Sequence, residues 1–315
     1  MSDNVVIAVC VVLLSAIVVN LVRRASPQRK HVVLLWGQSN MAGRGSVAEL
    51  NAVAYYGRAD VLALTDDGKR WVFAEEPLRR DRVDKDPGVG PGVAFGVEVQ
   101  RMRRLKEVGA LEMVGLVPSA VGGSSLREWH PLKGPHYKAA LAHARAALAE
   151  EDAELSAILW HQGESDSIEA EDAATYGVRM RELIAHARSD LRAPALPFIV
   201  GELGHFLSER RSVGGAKMLP YSAEVSRHLK ALAEGPIAVD STAFVSAAEL
   251  GHRGDHLHFS TAAQLELGRR YAVAWSALAN GGAPTRVAAP MSAAPVAAAP
   301  VAAAPVAAAP VATTI

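Results

Sequence analysis

The sequence predicts a three-layer α/β/α domain built on a central, mostly parallel sheet of five strands. Three observations carry that expectation. Short runs rich in Val, Ile and Leu alternate along the chain with longer segments of helical period, the pattern of parallel sheets covered by helices. The apolar runs are continuous rather than alternating, as strands buried on both faces are. The chain has 315 residues, half of them hydrophobic, enough for one domain of about 200–250 residues plus extensions.

The candidate strands are His31–Trp36, Met113–Pro118, Leu155–Trp160, Pro197–Gly201 and Ile237–Asp240. The candidate helices are Val93–Val108, Tyr137–Glu150, Ala170–Arg188, Tyr221–Glu234 and Thr261–Ala279. The last opens on Thr261-Ala-Ala-Gln264, the spacing of a capping box. Residues 42–91 form a long Gly- and charge-rich insertion of weak periodicity, the kind of segment that supplies lids and binding loops. Ligands of such sheets bind at the carboxyl ends of the strands. The domain so delimited spans residues 31–281.

The two ends differ from it. After a short tail at 1–4, residues 5–22 are apolar except for Ser15 and Asn20. As a helix this run is about 27 Å long, close to the hydrocarbon thickness of a bilayer. A cleaved signal peptide is the rival reading, and would leave the domain secreted. However, residues 1–4 carry no Lys or Arg and no A-x-A site follows, which favours an uncleaved single-pass anchor. The flank at 23–30 contains Arg23, Arg24, Arg29 and Lys30, which by the positive-inside rule puts the domain on the cytoplasmic side. Residues 282–315 are an Ala/Pro/Val-rich tail with a proline every fifth residue from Pro290 to Pro310. That spacing blocks a continuous helix and favours an extended stalk.

Composition excludes several classes. Lys+Arg and Asp+Glu each total 33, so no basic surplus argues for nucleic acid as a partner. The one cysteine, Cys10, lies in the apolar run, so neither an intrachain disulfide nor a Cys-based metal site is expected.

Four segments at strand ends could carry chemistry. The first strand runs into Trp36-Gly37-Gln38-Ser39-Asn40-Met41-Ala42-Gly43, a serine in a glycine-flanked turn. Alone it reads better as a helix N-cap or turn residue. Gly254-Asp255-His256-Leu257-His258 precedes the last helix. A carboxylate three residues before an imidazole can hold its Nδ1–H and leave Nε2 free to take a serine proton. A serine hydroxyl is a weak nucleophile without such a base. His252 and His256 lie close by and could compete for that role, or form a metal site with Asp255 and His258. Pro118-Ser119-Ala120-Val121-Gly122-Gly123-Ser124-Ser125 leaves backbone amides accessible, as an oxyanion hole requires. Trp160-His161-Gln162-Gly163-Glu164-Ser165-Asp166 gathers an amide, an imidazole and two carboxylates, and Gln162 could donate to a developing oxyanion.

In this order, GQSNMAG, AVGGSSLREW, WHQGESD and DHLH resemble the SGNH hydrolase superfamily, whose fold is flavodoxin-like. Within it they resemble the sialate O-acetylesterase and acetylxylan esterase-like (SASA-type) branch, over roughly residues 31–280. The resemblance implies a serine esterase that removes acetyl groups from an acetylated carbohydrate through an acyl-enzyme, with no metal and no organic cofactor. It implies Ser39 as nucleophile, Asp255 and His258 as the activating pair, and Ser39, Gly123 (Gly122 as alternate) and Gln162 as the oxyanion hole. Gln38, Asn40, His161 and Glu164 would support the site, Glu164 by bonding to the loop around Ser39. Ser124, Arg127 and Trp129, with His130, are candidates to line a substrate pocket, although Trp129 reads equally as core. Activity should then rise with pH through about 6–7, where an unperturbed histidine loses its proton. Two other readings stay open: a membrane-tethered glycan-binding protein that has lost activity, and a short-chain lipase or thioesterase.

Overall fold

The computed structural model describes residues 29–50, 60–78, 87–105, 112–235 and 237–279. The anchor expected at 5–22 and the tail at 282–315 lie outside these residues. Among the described residues no helix is long and apolar enough to cross a membrane.

The fold is α/β, with a mostly parallel sheet flanked by helices. Its strands are β1 (Lys30–Gly37), β2 (Val61–Leu64), β3 (Trp71–Phe73), β4 (Met113–Pro118), β5 (Ala153–His161), β6 (Phe198–Gly201) and β7 (Thr242–Val245). The order is β3-β2-β4-β1-β5-β6-β7, so the sheet has seven strands rather than the five expected. Both additions come from the insertion read as a loop. β2 adds parallel to β4, and β3 folds back antiparallel on β2 at the edge. Each is too short, at four and three residues, for periodicity to mark it.

The helices are α1 (Ser39–Ala42), α2 (Pro91–Leu105), α3 (Pro135–Ala147), α4 (Ala170–Asp190), α5 (Ser222–Glu234) and α6 (Thr261–Ala279). α2 packs along α6, and α4 along α5. Every residue of β1 except His31 is buried, as a central strand covered on both faces must be. Its neighbours β4 and β5 place Pro118 beside Leu35 and His161 beside Gly37. The carboxyl ends of three central strands therefore meet at one edge.

Three local expectations need correction. Ile237–Asp240 is a turn, not a strand: the Ala238 and Val239 amides bond back to Gly235 and Leu232 of the preceding segment. Ile237 and Val239 are apolar because they pack against the core as loop residues. Thr261 and Gln264 do not form a capping box. Ser260 Oγ accepts the Ala263 amide, while Thr261 Oγ1 reaches Ser46 O and Gln264 Nε2 reaches Asn40 O. Arg29 and Lys30 belong to the domain rather than to a basic flank. Arg29 pairs with Glu154, and Lys30 opens β1, pairs with Glu150 and lies over the Trp71 ring.

Candidate active site

The turn at Ser39 is forced by close packing at the end of β1. Gly37 has φ +129°, and a Cβ there would lie 2.2 Å from His161 O, so only glycine lets β1 and β5 approach this closely. Gln38 then bonds through its amide to His161 O at 2.9 Å. Ser39 follows as the first residue of α1, at the carboxyl edge of the central strand.

The loop between β7 and α6 brings two side chains to it. His258 Nε2 lies 3.2 Å from Ser39 Oγ, and His258 Nδ1 lies 2.7 Å from Asp255 Oδ2. With Nδ1–H donating to the carboxylate, Nε2 is the acceptor for the serine proton. Asp255 Oδ1 accepts the amides of Leu257 and His258 at 2.9 and 2.8 Å. Burial opposes ionisation of Asp255, but these amides and the His258 ring outweigh it and hold the carboxyl well below its usual range. Burial lowers the His258 pKa from its ordinary value; Asp255 raises it, and the Arg253 and Arg44 charges lower it again, leaving it below 6.5.

His252 and His256 do not compete for this role. Their rings stack on each other at 4.0 Å. His252 Nδ1 accepts the amides of Gly254 and His256, and the His256 ring faces Glu209. Among the described residues no cluster of three or more His, Cys, Asp or Glu could hold a metal ion.

Asn40 stitches three segments together. Its Nδ2 donates to Glu164 Oε1 and Leu257 O, and its Oδ1 accepts the Phe259 amide. Gln38 Oε1 accepts the amides of Gly163 and Ser165. His161 is fully buried, with Nδ1 against Tyr271 Oη and its ring edge-on to Phe259. Burial pushes its pKa down to about 3, so it stays neutral.

Gly123 sits at φ +73° with open space on its Cβ side. Ser165 Oγ holds its carbonyl at 3.0 Å. Among the described residues, neither the Gly123 nor the Ser39 amide has a protein acceptor.

Gln162 is not placed to stabilise an oxyanion. It is completely buried, and its Nε2 hydrogens go to Ser124 O at 3.1 Å and Asp166 Oδ2 at 2.6 Å. Its Oε1 accepts from Tyr176 Oη. The residues expected to line a substrate pocket also lie elsewhere. Trp129 is core, packed against Trp36 and Trp160 with Nε1 donating to Ser124 Oγ. That bond also occupies Ser124. Arg127 is exposed, pairs with Asp172 at 2.8 Å, and lines a separate cavity with His130.

The cavity above Ser39 has a volume of about 530 Å³. Gly122, Gly123, Glu164 and His258 line it together with Arg44, Arg210, Ile168, Met218, Leu219 and Leu257. Those last six escaped the sequence reading. Arg210, Met218 and Leu219 come from the loop after β6, and only its position beyond a strand's carboxyl end could have flagged it. Of the insertion at 42–91, Arg44 alone among the described residues reaches the cavity. Arg210 Nη1 also donates to Asp255 O, and Arg253 Nε to Asp255 Oδ2.

Comparison with known proteins follows the same lines. The family model described as carbohydrate esterase, sialic acid-specific acetylesterase, matches residues 29–277. A protein of Arabidopsis thaliana described as a probable carbohydrate esterase is 34% identical over 256 residues, 78% of this chain and 89% of that one. An X-ray structure of an Arabidopsis thaliana protein superposes with a TM-score of 0.67 at 32% identity, covering 80% of this chain and 99% of that one. The crystal structure of NanS gives 0.62 at 15% identity, covering 81% and 99%, a likeness of fold alone.

Proposed function

The chain belongs to the carbohydrate esterase family of sialic acid-specific acetylesterases, and from that premise we propose that it removes O-acetyl groups from a sugar through an acyl-enzyme on Ser39. It is a carboxylic ester hydrolase by family. The observation that carries the finer reading is the hydrogen-bonded series Ser39 Oγ–His258–Asp255 opening onto a cavity.

His258 Nε2 takes the hydroxyl proton as Ser39 attacks the ester carbonyl, and Asp255 stabilises the imidazolium. The amides of Ser39 and Gly123 receive the oxyanion. Each such donor is worth about 10²–10³ in rate. His258 protonates the departing sugar hydroxyl, and water then releases acetate by the same steps. Two guanidiniums, Arg44 and Arg210, line the cavity, and they favour a carboxylate-bearing sugar of the sialate type over neutral acetylxylan. The apolar run at 5–22 supports a membrane anchor, whose side the remaining flank, Arg23 and Arg24, biases toward the cytoplasm.

The test is acetate release from O-acetylated sialic acid and from acetylated xylan, beside a chain-length series of nitrophenyl esters. The proposal expects cleavage of the acetylated sugar acid, preference for acetate over longer acyl chains, and no turnover by Ser39→Ala. Preference for long acyl chains would favour a lipase or thioesterase. Sugar binding without acetate release would favour an inactive glycan-binding protein.

A further inference from the structure

The buried acid at the cavity wall has a place that the triad does not explain. Glu164 is 2% exposed. Its Oε1 accepts Asn40 Nδ2, while Oε2 is shielded from solvent and makes no full hydrogen bond among the described residues. Among the described residues Asn40 is the only side chain bonded to it, and Asn40 in turn holds Leu257 O and Phe259 N on either side of His258. Glu164 therefore reaches both halves of the catalytic pair through one amide.

The groups facing it offer an ionised carboxylate little support. They are Asn40 on α1, Asp166 in the adjacent 3-10 turn, Tyr176 on α4 and Tyr271 on α6, with His258, Arg44 and Arg210 across the cavity. Asp166 is a like charge. A carboxylate oxygen shielded from solvent and without a full hydrogen bond is costly to ionise.

We propose that Glu164 is a positioning residue that works in its neutral form. Its carbonyl oxygen anchors Asn40, and so sets Ser39 against His258, while its protonation keeps a negative charge away from the developing oxyanion. This rests on the esterase reading of the same site. Burial, helped by the Asp166 charge, pushes the Glu164 pKa up to about 7, against the Asn40 bond and the Glu164 and Gly163 backbone amides, so the neutral form dominates below neutrality. Ionisation above that range puts a charge beside the oxyanion and weakens activity.

The experiment compares the full chain with E164Q and E164A, measuring kcat and KM for 4-nitrophenyl acetate from pH 5 to 9. Glutamine keeps the oxygen that Asn40 uses and cannot ionise; alanine removes both. The wild type should lose activity as pH rises past about 7. E164Q should keep the rise on the acid side and lose the alkaline fall, exceeding the wild type severalfold at the top of the range. E164A should lose kcat about 10–100-fold at every pH, with KM little changed, since misplaced catalytic groups cost rate rather than affinity. An alkaline fall shared by E164Q and the wild type overturns the proposal alone. Inactivity of all three proteins at every pH overturns the esterase reading, and this role with it. A second readout needs no turnover: the stability of the wild type relative to E164Q should fall as pH rises through about 7, and a constant difference overturns the neutral state.

Discussion

Replacing Gln162 by leucine separates a structural role from a catalytic one. The side chain is fully buried, and its amide feeds Ser124 O and Asp166 Oδ2. Leucine fills nearly the same volume but strips one partner from each. Asp166 keeps the Leu126 amide and Arg179, and Tyr176 Oη keeps Gln162 O. A buried polar group deprived of its partner costs about 1–3 kcal/mol, so the two together should destabilise the fold by about 2–6 kcal/mol. That is a large share of the ~5–15 kcal/mol by which a domain is typically stable. Activity should behave differently. Ser124 follows the glycine turn, so a small shift there should lower kcat by less than about tenfold. An oxyanion donor would instead cost about 10²–10³. The assay is urea unfolding followed by 4-nitrophenyl acetate turnover well below the variant's unfolding midpoint. A loss of a hundredfold or more with near-wild-type stability would refute the structural role and restore Gln162 to the oxyanion hole.

Other expectations follow from the same geometry. Because burial and the nearby arginines hold the His258 pKa below its ordinary value, and the base must be neutral, kcat/KM should rise with a midpoint below 6.5; a midpoint above 7 contradicts this. Trp129→Ala should cost about 3–5 kcal/mol in unfolding and leave KM for an acetylated sugar within about twofold, since the ring packs on Trp36 and Trp160; a selective rise in KM would return it to the pocket. Burial also raises Glu76, to about 8. A folded pKa above the unfolded value of about 4.5 gives stability that is present at low pH and lost as pH rises through the folded pKa. Unfolding measurements should therefore show stability falling toward pH 8, and Glu76→Gln should remove the upper part of that fall.

Much of the architecture was legible because burial writes itself into composition. β1, β4, β5 and β6 are read from continuous apolar runs, and the helices from their period, to within a few residues. Ile237–Asp240 deceived because apolarity reports burial, not pairing: Ile237 and Val239 are half-buried against the core as loop residues, and the strand begins after the Ser241 turn at φ +52°. The short strands β2 and β3 carried a different signal, the Thr65-Asp66-Asp67-Gly68 turn between them, which is hairpin chemistry.

The site divides in the same way. Residues whose partner is a few positions away, such as Asp255 and His258, declare themselves by spacing. Residues whose role depends on where an amide points do not. Gln162 and Asn40 are both amides beside the Ser39 loop, yet one is spent inside the core and the other ties Glu164 to the His258 loop. Arg210 and Met218 reach the cavity from a loop with no motif of its own, so only the topology of β6 brings them there.

The most direct measurement is covalent. The intact chain is treated with a fluorophosphonate, which phosphonylates an activated serine, and the adduct is mapped by peptide mass spectrometry while acetyl-ester hydrolysis is followed. Ser39 should carry one equivalent in step with loss of activity, and Ser39→Ala should neither label nor turn over. Hydrolysis that persists in Ser39→Ala, or inactivation with the adduct on another residue, would contradict the assignment of Ser39 as the nucleophile.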